Sequence, residues 1–179
     1  DLCWYENNNG TFTKHLIHPE AERHGIGLGD INGDGRKDVI TVQGWFEAPA
    51  DYQNGEWIRH SELVINSEAA SLPMVVYDVN NDGRNDVIYG HAHAYGLYWM
   101  EQKPDNTWEE HIIDQSWSQV HVLKLFDIDE DMEIELVTGK RLRGHAGGDP
   151  GSSDPQGIYY YDIDRDTQTF TQKVIAYNA

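Results

Sequence analysis

The chain has 179 residues, with 13 Lys and Arg against 31 Asp and Glu, and a formal charge of −18. Such a surface repels phosphate backbones, which excludes nucleic acid as a partner. No run of about 18 apolar residues exists to insert into a membrane. The lone cysteine, Cys3, allows no intrachain disulfide and no CxxC motif. Six Trp, ten Tyr and four Phe are more than a disordered chain of this charge would carry. The absence of an initial Met or apolar leader is what a processed or partial chain would show.

In chain order, Trp4-Tyr5-Glu6 opens an aromatic strand, and residues 11–15 follow as a strand of alternating polar and apolar residues. Residues 25–29 lead into an acidic turn, 30–38, and residues 38–42 leave it. Trp45-Phe46-Glu47 and residues 56–60 then repeat the opening pair. The same series returns with a turn at 78–86, an aromatic strand at 98–101 and an alternating strand at 107–111, and again with 127–135, 159–162 and 169–173. The first aspartates of the turns, Asp30, Asp78 and Asp127, are 48 and 49 residues apart.

Four strands in each repeat of ~40–50 residues is the pattern of β-propeller blades, which bury their faces only by stacking on neighbours. No segment has a convincing helical period; residues 67–71 make at most one turn. The expected fold is all-β: a propeller arc of four-stranded antiparallel blades, strands a to d. Residues 1–23 supply strands c and d of a partial blade, and 24–71, 72–120 and 121–179 are full blades. That is about three and a half blades of a propeller with about seven. The remaining blades must come from another segment or chain, because two copies of this one lack the same strands.

The turns carry Asp30, Asn32, Asp34 and Asp38, repeated as Asp78, Asn80, Asp82 and Asp86. Oxygen side chains at this spacing suit Ca²⁺, which takes about 6–8 oxygen ligands, with the Arg36 and Arg84 carbonyls as main-chain ligands. The third turn has Asp127, Asp129 and Asp131, but Met132 replaces the turn glycine and Glu135 the last aspartate. Two calcium sites are therefore expected, with weaker or no binding at the third. The twelfth position holds Thr41, Tyr89 or Thr138 rather than Glu, and the flanks are strands, so these are not EF-hands. Structural calcium of ~10⁻⁴–10⁻³ M affinity implies an extracellular, periplasmic or cell-surface setting.

The string GDINGDGRKDVI at 29–40 resembles the FG-GAP/VCBS repeat, and the resemblance covers all three full repeats. It implies a calcium-stabilised extracellular propeller. Residues 24–30 with 44–47, 91–97, and 138–141 with 144–145 and 148–150 resemble a subgroup of bacterial FG-GAP repeat proteins. These strings are also similar, over less of their pattern, to the propeller part of fungal aldos-2-ulose dehydratase, a sugar-dehydrating enzyme.

Hairpin topology puts the starts of strands a and the b–c loops on the edge opposite the acidic turns. His24 and His121 stand at starts of a, aligned with Leu72. In or beside the b–c loops stand Trp45; His91, His93 and Tyr95; and Lys140, Arg141, Arg143 and His145, the last group opening a long loop at 142–156. Imidazoles shuttle protons or ligate metals, Arg and Lys clamp carboxylates, and Trp45 and Tyr95 can stack on a sugar ring. This edge is expected to bind a carbohydrate or protein ligand. In a lyase or dehydratase reading, His91 or His93 takes a proton and Arg141 stabilises the resulting charge. A purely structural role in a larger assembly is the third reading. His91 and His93, two apart, are expected to face one way, and His15, His60 and His111 to lie on the solvated rim.

Overall fold

A computed structural model describes residues 1–20, 24–65 and 70–178, with backbone alone at 70–73. The Leu72 side chain and most of the turn expected at 67–71 lie outside the described residues. The strands are β1 (Leu2–Asn8), β2 (Thr11–His18), β3 (Ile26–Gly29), β4 (Asp38–Thr41), β5 (Gly44–Glu47), β6 (Ile58–His60), β7 (Ala70–Tyr77), β8 (Asp86–His91), β9 (Tyr95–Gln102), β10 (Trp108–Ser118), β11 (Val120–Phe126), β12 (Glu135–Lys140), β13 (Gly157–Asp164) and β14 (Thr169–Tyr177). The fold is all-β and almost wholly antiparallel. β1–β2 is a hairpin, and β3–β6, β7–β10 and β11–β14 are three four-stranded meanders. The first two meanders are joined by a single parallel pair, Gly27 with Met74.

Each meander buries one face against the next. Ile31, Ile40, Trp45 and Leu63 of the first meet Met74, Tyr89, Tyr98 and Met100 of the second. Ile88, Leu97 and Trp99 of the second meet Val120, Leu123, Leu136, Tyr159 and Tyr161 of the third. The opening hairpin is attached more thinly, by Leu2 and Ile17 on Val39, Phe46 and Trp57. Close approach sets one residue choice: a Cβ on Gly90 would lie 2.3 Å from Val120.

The pairings superpose repeat on repeat. Ile88 pairs with Trp99, and Val137 with Tyr160; Gly90 pairs with Leu97, and Gly139 with Ile158. The face that the second meander buries is thus present again in the third, where Phe126 and Ile158 are exposed. At the other end Ile26 and Leu28, which the same pairings align with Met74 and Val76, are exposed where the hairpin has no inner strands.

A cross-strand triad also repeats, and it corrects the rim placement of three histidines. Trp4 faces His15, Trp45 faces His60 and Trp99 faces His111 across β1–β2, β5–β6 and β9–β10. The rings stack with centroids 4.2, 4.0 and 4.5 Å apart. Each imidazole also meets the Glu two residues after its Trp: Glu6 at 3.2 Å, Glu47 at 3.0 Å and Glu101 at 2.8 Å. The third meander keeps the arrangement with Tyr160 opposite Lys173, whose amine is 3.1 Å from Asp162. The alternating pattern hid this, because a residue on the polar side of an outer strand can still lie flat on its cross-strand neighbour.

Candidate functional site

The two edges of the sheets carry different chemistry. On the acidic edge the turns are closed by their own side chains. Asp30 Oδ1 accepts from the Gly33 and Asp34 amides at 2.8 and 3.0 Å, and Oδ2 from the Gly35 amide at 2.8 Å. Asp78 repeats this with Asp82 and Gly83, each at 3.1 Å. Asp34 and Asp82 each pair with the guanidinium two residues on, Arg36 and Arg84. These arginines also reach strand ends, donating from Nε to the Ala48 and Gln102 carbonyls at 2.7 and 2.9 Å.

Asp38 and Asp86 are wholly buried ties. Asp38 accepts from the Ile31 and Ala48 amides at 2.8 and 2.9 Å, and Asp86 from Val79 and Gln102, both at 2.9 Å. Burial, against those hydrogen bonds, pushes Asp86 up to about 7 and raises Asp38 as well. In the third turn Met132 takes the left-handed backbone of Gly35 and Gly83, φ 76° against 87° and 84°. Asp127 accepts from the Asp131 and Met132 amides at 3.2 and 3.1 Å. Oxygens of Asp127, Asp129 and Glu135 lie within 4.8 Å of one another, an arrangement open to a cation. All three turns offer oxygen donors only, and among the described residues the third is the one that gathers three carboxylates within 4.8 Å.

The opposite edge gathers most of the expected histidines. His93 is the hub: its ring centroid is 6.0 Å from His24, 6.4 Å from His121 and 4.5 Å from His145, the last nearly parallel at 3°. Three repeats contribute: His24 from the first, His93 from the second, and His121, Arg141 and His145 from the third. Asp149 binds them together. Its Oδ2 is 2.6 Å from Arg141 Nη2 and 3.1 Å from His93 Nδ1, and its Oδ1 is 2.9 Å from His145 Nδ1. Arg141 Nη1 donates to His121 Nε2 at 3.2 Å, which puts the His121 proton on Nδ1, facing the Val120 carbonyl at 3.2 Å.

Hydrogen bonds from His93 and then His145 hold Asp149 down to about 2, although burial opposes them. Burial, Arg141 and the neighbouring imidazoles lower His121, against its hydrogen bond to the Val120 carbonyl. The loop is held in an uncommon conformation to make this possible. Arg143, His145 and Ala146 have φ of 41°, 48° and 55°, left-handed values that non-glycine residues rarely adopt.

Other expected residues lie elsewhere. β8 ends at His91, so His91 and His93 do not share a face. The His91 Nδ1 meets the Tyr95 carbonyl at 2.8 Å and its ring packs 4.6 Å from Tyr98, outside the cluster. Trp45 is buried between meanders with its indole donating to Glu62 at 3.0 Å, so its face is closed to a sugar. Tyr95 remains exposed and donates to Asp154. Arg143 is exposed, with no ion pair among the described residues. Lys140 is buried.

No family model matches the chain, and no curated protein matches it.

Asp149 is the functional residue that sequence reasoning missed. Its signal was a carboxylate in a glycine-rich loop, four residues after His145. The arrangement offers two kinds of chemistry. The carboxylate on His145 Nδ1 fixes that ring's tautomer and turns its Nε2 outward for a proton or a metal, whereas His93 Nδ1 is shared by Asp149 and Arg141 Nη2, each at 3.1 Å. One nitrogen each from His93 and His145 and an Asp149 oxygen also lie within 4.8 Å of one another, a donor set of transition-metal type.

Proposed function

We propose that the chain is a segment of a calcium-stabilised FG-GAP/VCBS-type β-propeller in an extracytoplasmic protein, and that its histidine and arginine edge binds an acidic or oxidised carbohydrate. The observation that carries the reading is the meeting of His24, His93, His121, His145 and Arg141 around Asp149, from three successive repeats. A structural array has no reason to collect imidazoles and a guanidinium on one edge of a chain whose charge is −18. Arg141 presents a planar fork suited to a ligand carboxylate, which would share or replace the Asp149 contact.

The partners in this reading are further repeats. The open face of the third meander and the missing inner strands of the hairpin both call for four-stranded units of the same kind. The acidic turns then take calcium on one edge, offsetting carboxylate repulsion and leaving the other edge free for a ligand.

A second reading rests on the His93–Asp149–His145 arrangement. Either imidazole, oriented by Asp149, can take a proton alpha to a carbonyl while Arg141 stabilises the enolate-like charge, as a sugar-acid or keto-sugar lyase requires. Bound at the same three residues, a transition metal would supply Lewis acidity.

Calorimetric titration of the completed protein with uronic acids and keto-sugars, alongside Arg141→Gln, tests the binding reading. Binding that weakens at least tenfold in the variant is expected, and no binding of any such sugar overturns it. Ultraviolet absorbance of unsaturated products tests the lyase reading in the same samples. Calcium should raise the melting temperature and chelation lower it; an unchanged value removes calcium from the account.

A further inference from the structure

Behind the histidine cluster lies a second group of polar residues with a different character. β12 ends at Lys140, which is 8% exposed although it is the most water-seeking kind of side chain. Its Nζ is 3.4 Å from Gln119 Oε1, at the outer limit of a hydrogen bond, and it makes no ion pair with any carboxylate among the described residues. Gln119 is fully buried in the link between β10 and β11, with a left-handed φ of 62°. Its Oε1 also faces the Gly144 amide at 3.5 Å, while its Nε2 has no partner. Ser118 Oγ and Arg141 Nε, on either side of this link, are buried and without partners too. Lys140 opens into a cavity of about 180 Å³ with Gln156, Gly157, Ile158 and Ala176.

Three of these four groups are N–H donors and the fourth is a hydroxyl, so what is missing is an acceptor. In a chain with more than twice as many acids as bases, an interior cation with no carboxylate within ion-pair distance is costly unless something else supplies the negative oxygen. Burial lowers Lys140 from the ordinary lysine range, and the Arg141 charge adds to this, while Asp154, beyond ion-pair distance, opposes it.

We propose that the Lys140 cavity is an oxyanion site, taking the carboxylate of a small acid or of an acidic side chain presented by another polypeptide, with the Lys140 amine as its principal contact. The cavity is large enough for a carboxylate and one or two waters, each of which occupies about 30 Å³ in the liquid. It is separate from the ligand edge, since Lys140 lines it with Gln156, Gly157, Ile158 and Ala176 rather than with the imidazoles.

The test is titration of the 179-residue chain with sodium acetate against sodium chloride at constant ionic strength. It is read by the Lys140 Cε resonance, by melting temperature and by sedimentation. The expected result is a saturable shift of the Lys140 resonance with half-saturation in the millimolar range, and a rise in melting temperature that is lost in Lys140→Met and kept in Lys140→Arg. A response in the monomer identifies small acids as the source. A response seen only as dissociation of a larger species identifies a carboxylate of another polypeptide. Absence of a saturable shift, or an equal melting rise in Lys140→Met, overturns the proposal, and circular dichroism of that variant establishes that it is folded.

Discussion

The two edges of the meanders are built by opposite rules. On the acidic edge the same turn is made three times, and even Met132 is forced into the backbone conformation of the glycines it replaces. On the opposite edge no two loops are alike, and the third, between Lys140 and Gly157, holds three non-glycine residues in left-handed conformations to bring His145 to Asp149. Repetition marks what stacking needs of every unit; divergence marks what only this assembly needs. Loops free of the repeat are where a scaffold places recognition.

Changes on the repeated side should cost the most stability. Asp86→Ala removes the acceptor for the Val79 and Gln102 amides, both in buried or half-buried positions. Each orphaned donor costs about 1–3 kcal/mol, so a loss of roughly 3 kcal/mol is expected in urea unfolding. Gly90→Ala follows: its Cβ would sit 2.3 Å from Val120, and overpacking of this kind costs about 1–3 kcal/mol. The register-equivalent Gly139→Ala meets the Gly157 carbonyl at 3.3 Å and Ile158 and Val122 only at 3.8 Å, and should cost less. An equal effect of the two substitutions would break the assignment of a buried face to one and an open face to the other.

A smaller effect is expected in the triads. His60→Leu loses the hydrogen bond to Glu47 and part of the stack on Trp45, about 1 kcal/mol. His60→Lys should recover some of it, because Lys173 already does this work in the third meander. The smallest effect on stability belongs to Asp149→Asn, whose melting temperature should stay near that of the parent. Because Asp149 is held at about 2, below the ordinary aspartate value, its ties are intact above about pH 4 and fail as pH falls from 4 towards 2. Loosening of the 142–156 loop in that window, seen by proteolysis, is the expected outcome.

Much of the fold was legible because strand order, turn position and repeat length all follow from local chemistry. The acidic turns and aromatic strands fall where their periodicity placed them. The site was legible only as a collection. His24, His93, His121, His145 and Arg141 could be assigned to one edge from hairpin topology, but the residue that joins them could not. Asp149 lies 56 residues from His93, and nothing in linear sequence reports a contact across that distance. Trp45 and His91 were misplaced for a related reason. Both belong to local packing, Trp45 beneath His60 and His91 against Tyr98, and residue type alone does not separate a packed ring from an offered one. The triad histidines were misread in the opposite sense, as solvated when each lies flat on an indole.

The thin attachment of the opening hairpin carries a consequence for how the molecule comes apart. In a linear array, each unit is as secure as its nearest neighbours make it, and terminal units fray first. β1 and β2 lean on the first meander through Leu2 and Ile17, the His18 ring beside Phe46 and a hydrogen bond from Gln53 to Glu6, whereas the inner meanders share cores of eleven buried residues each. Amide hydrogens of residues 2–18 should therefore exchange with solvent long before those of β8, β9 and β12, and slow down once a neighbour closes the open end.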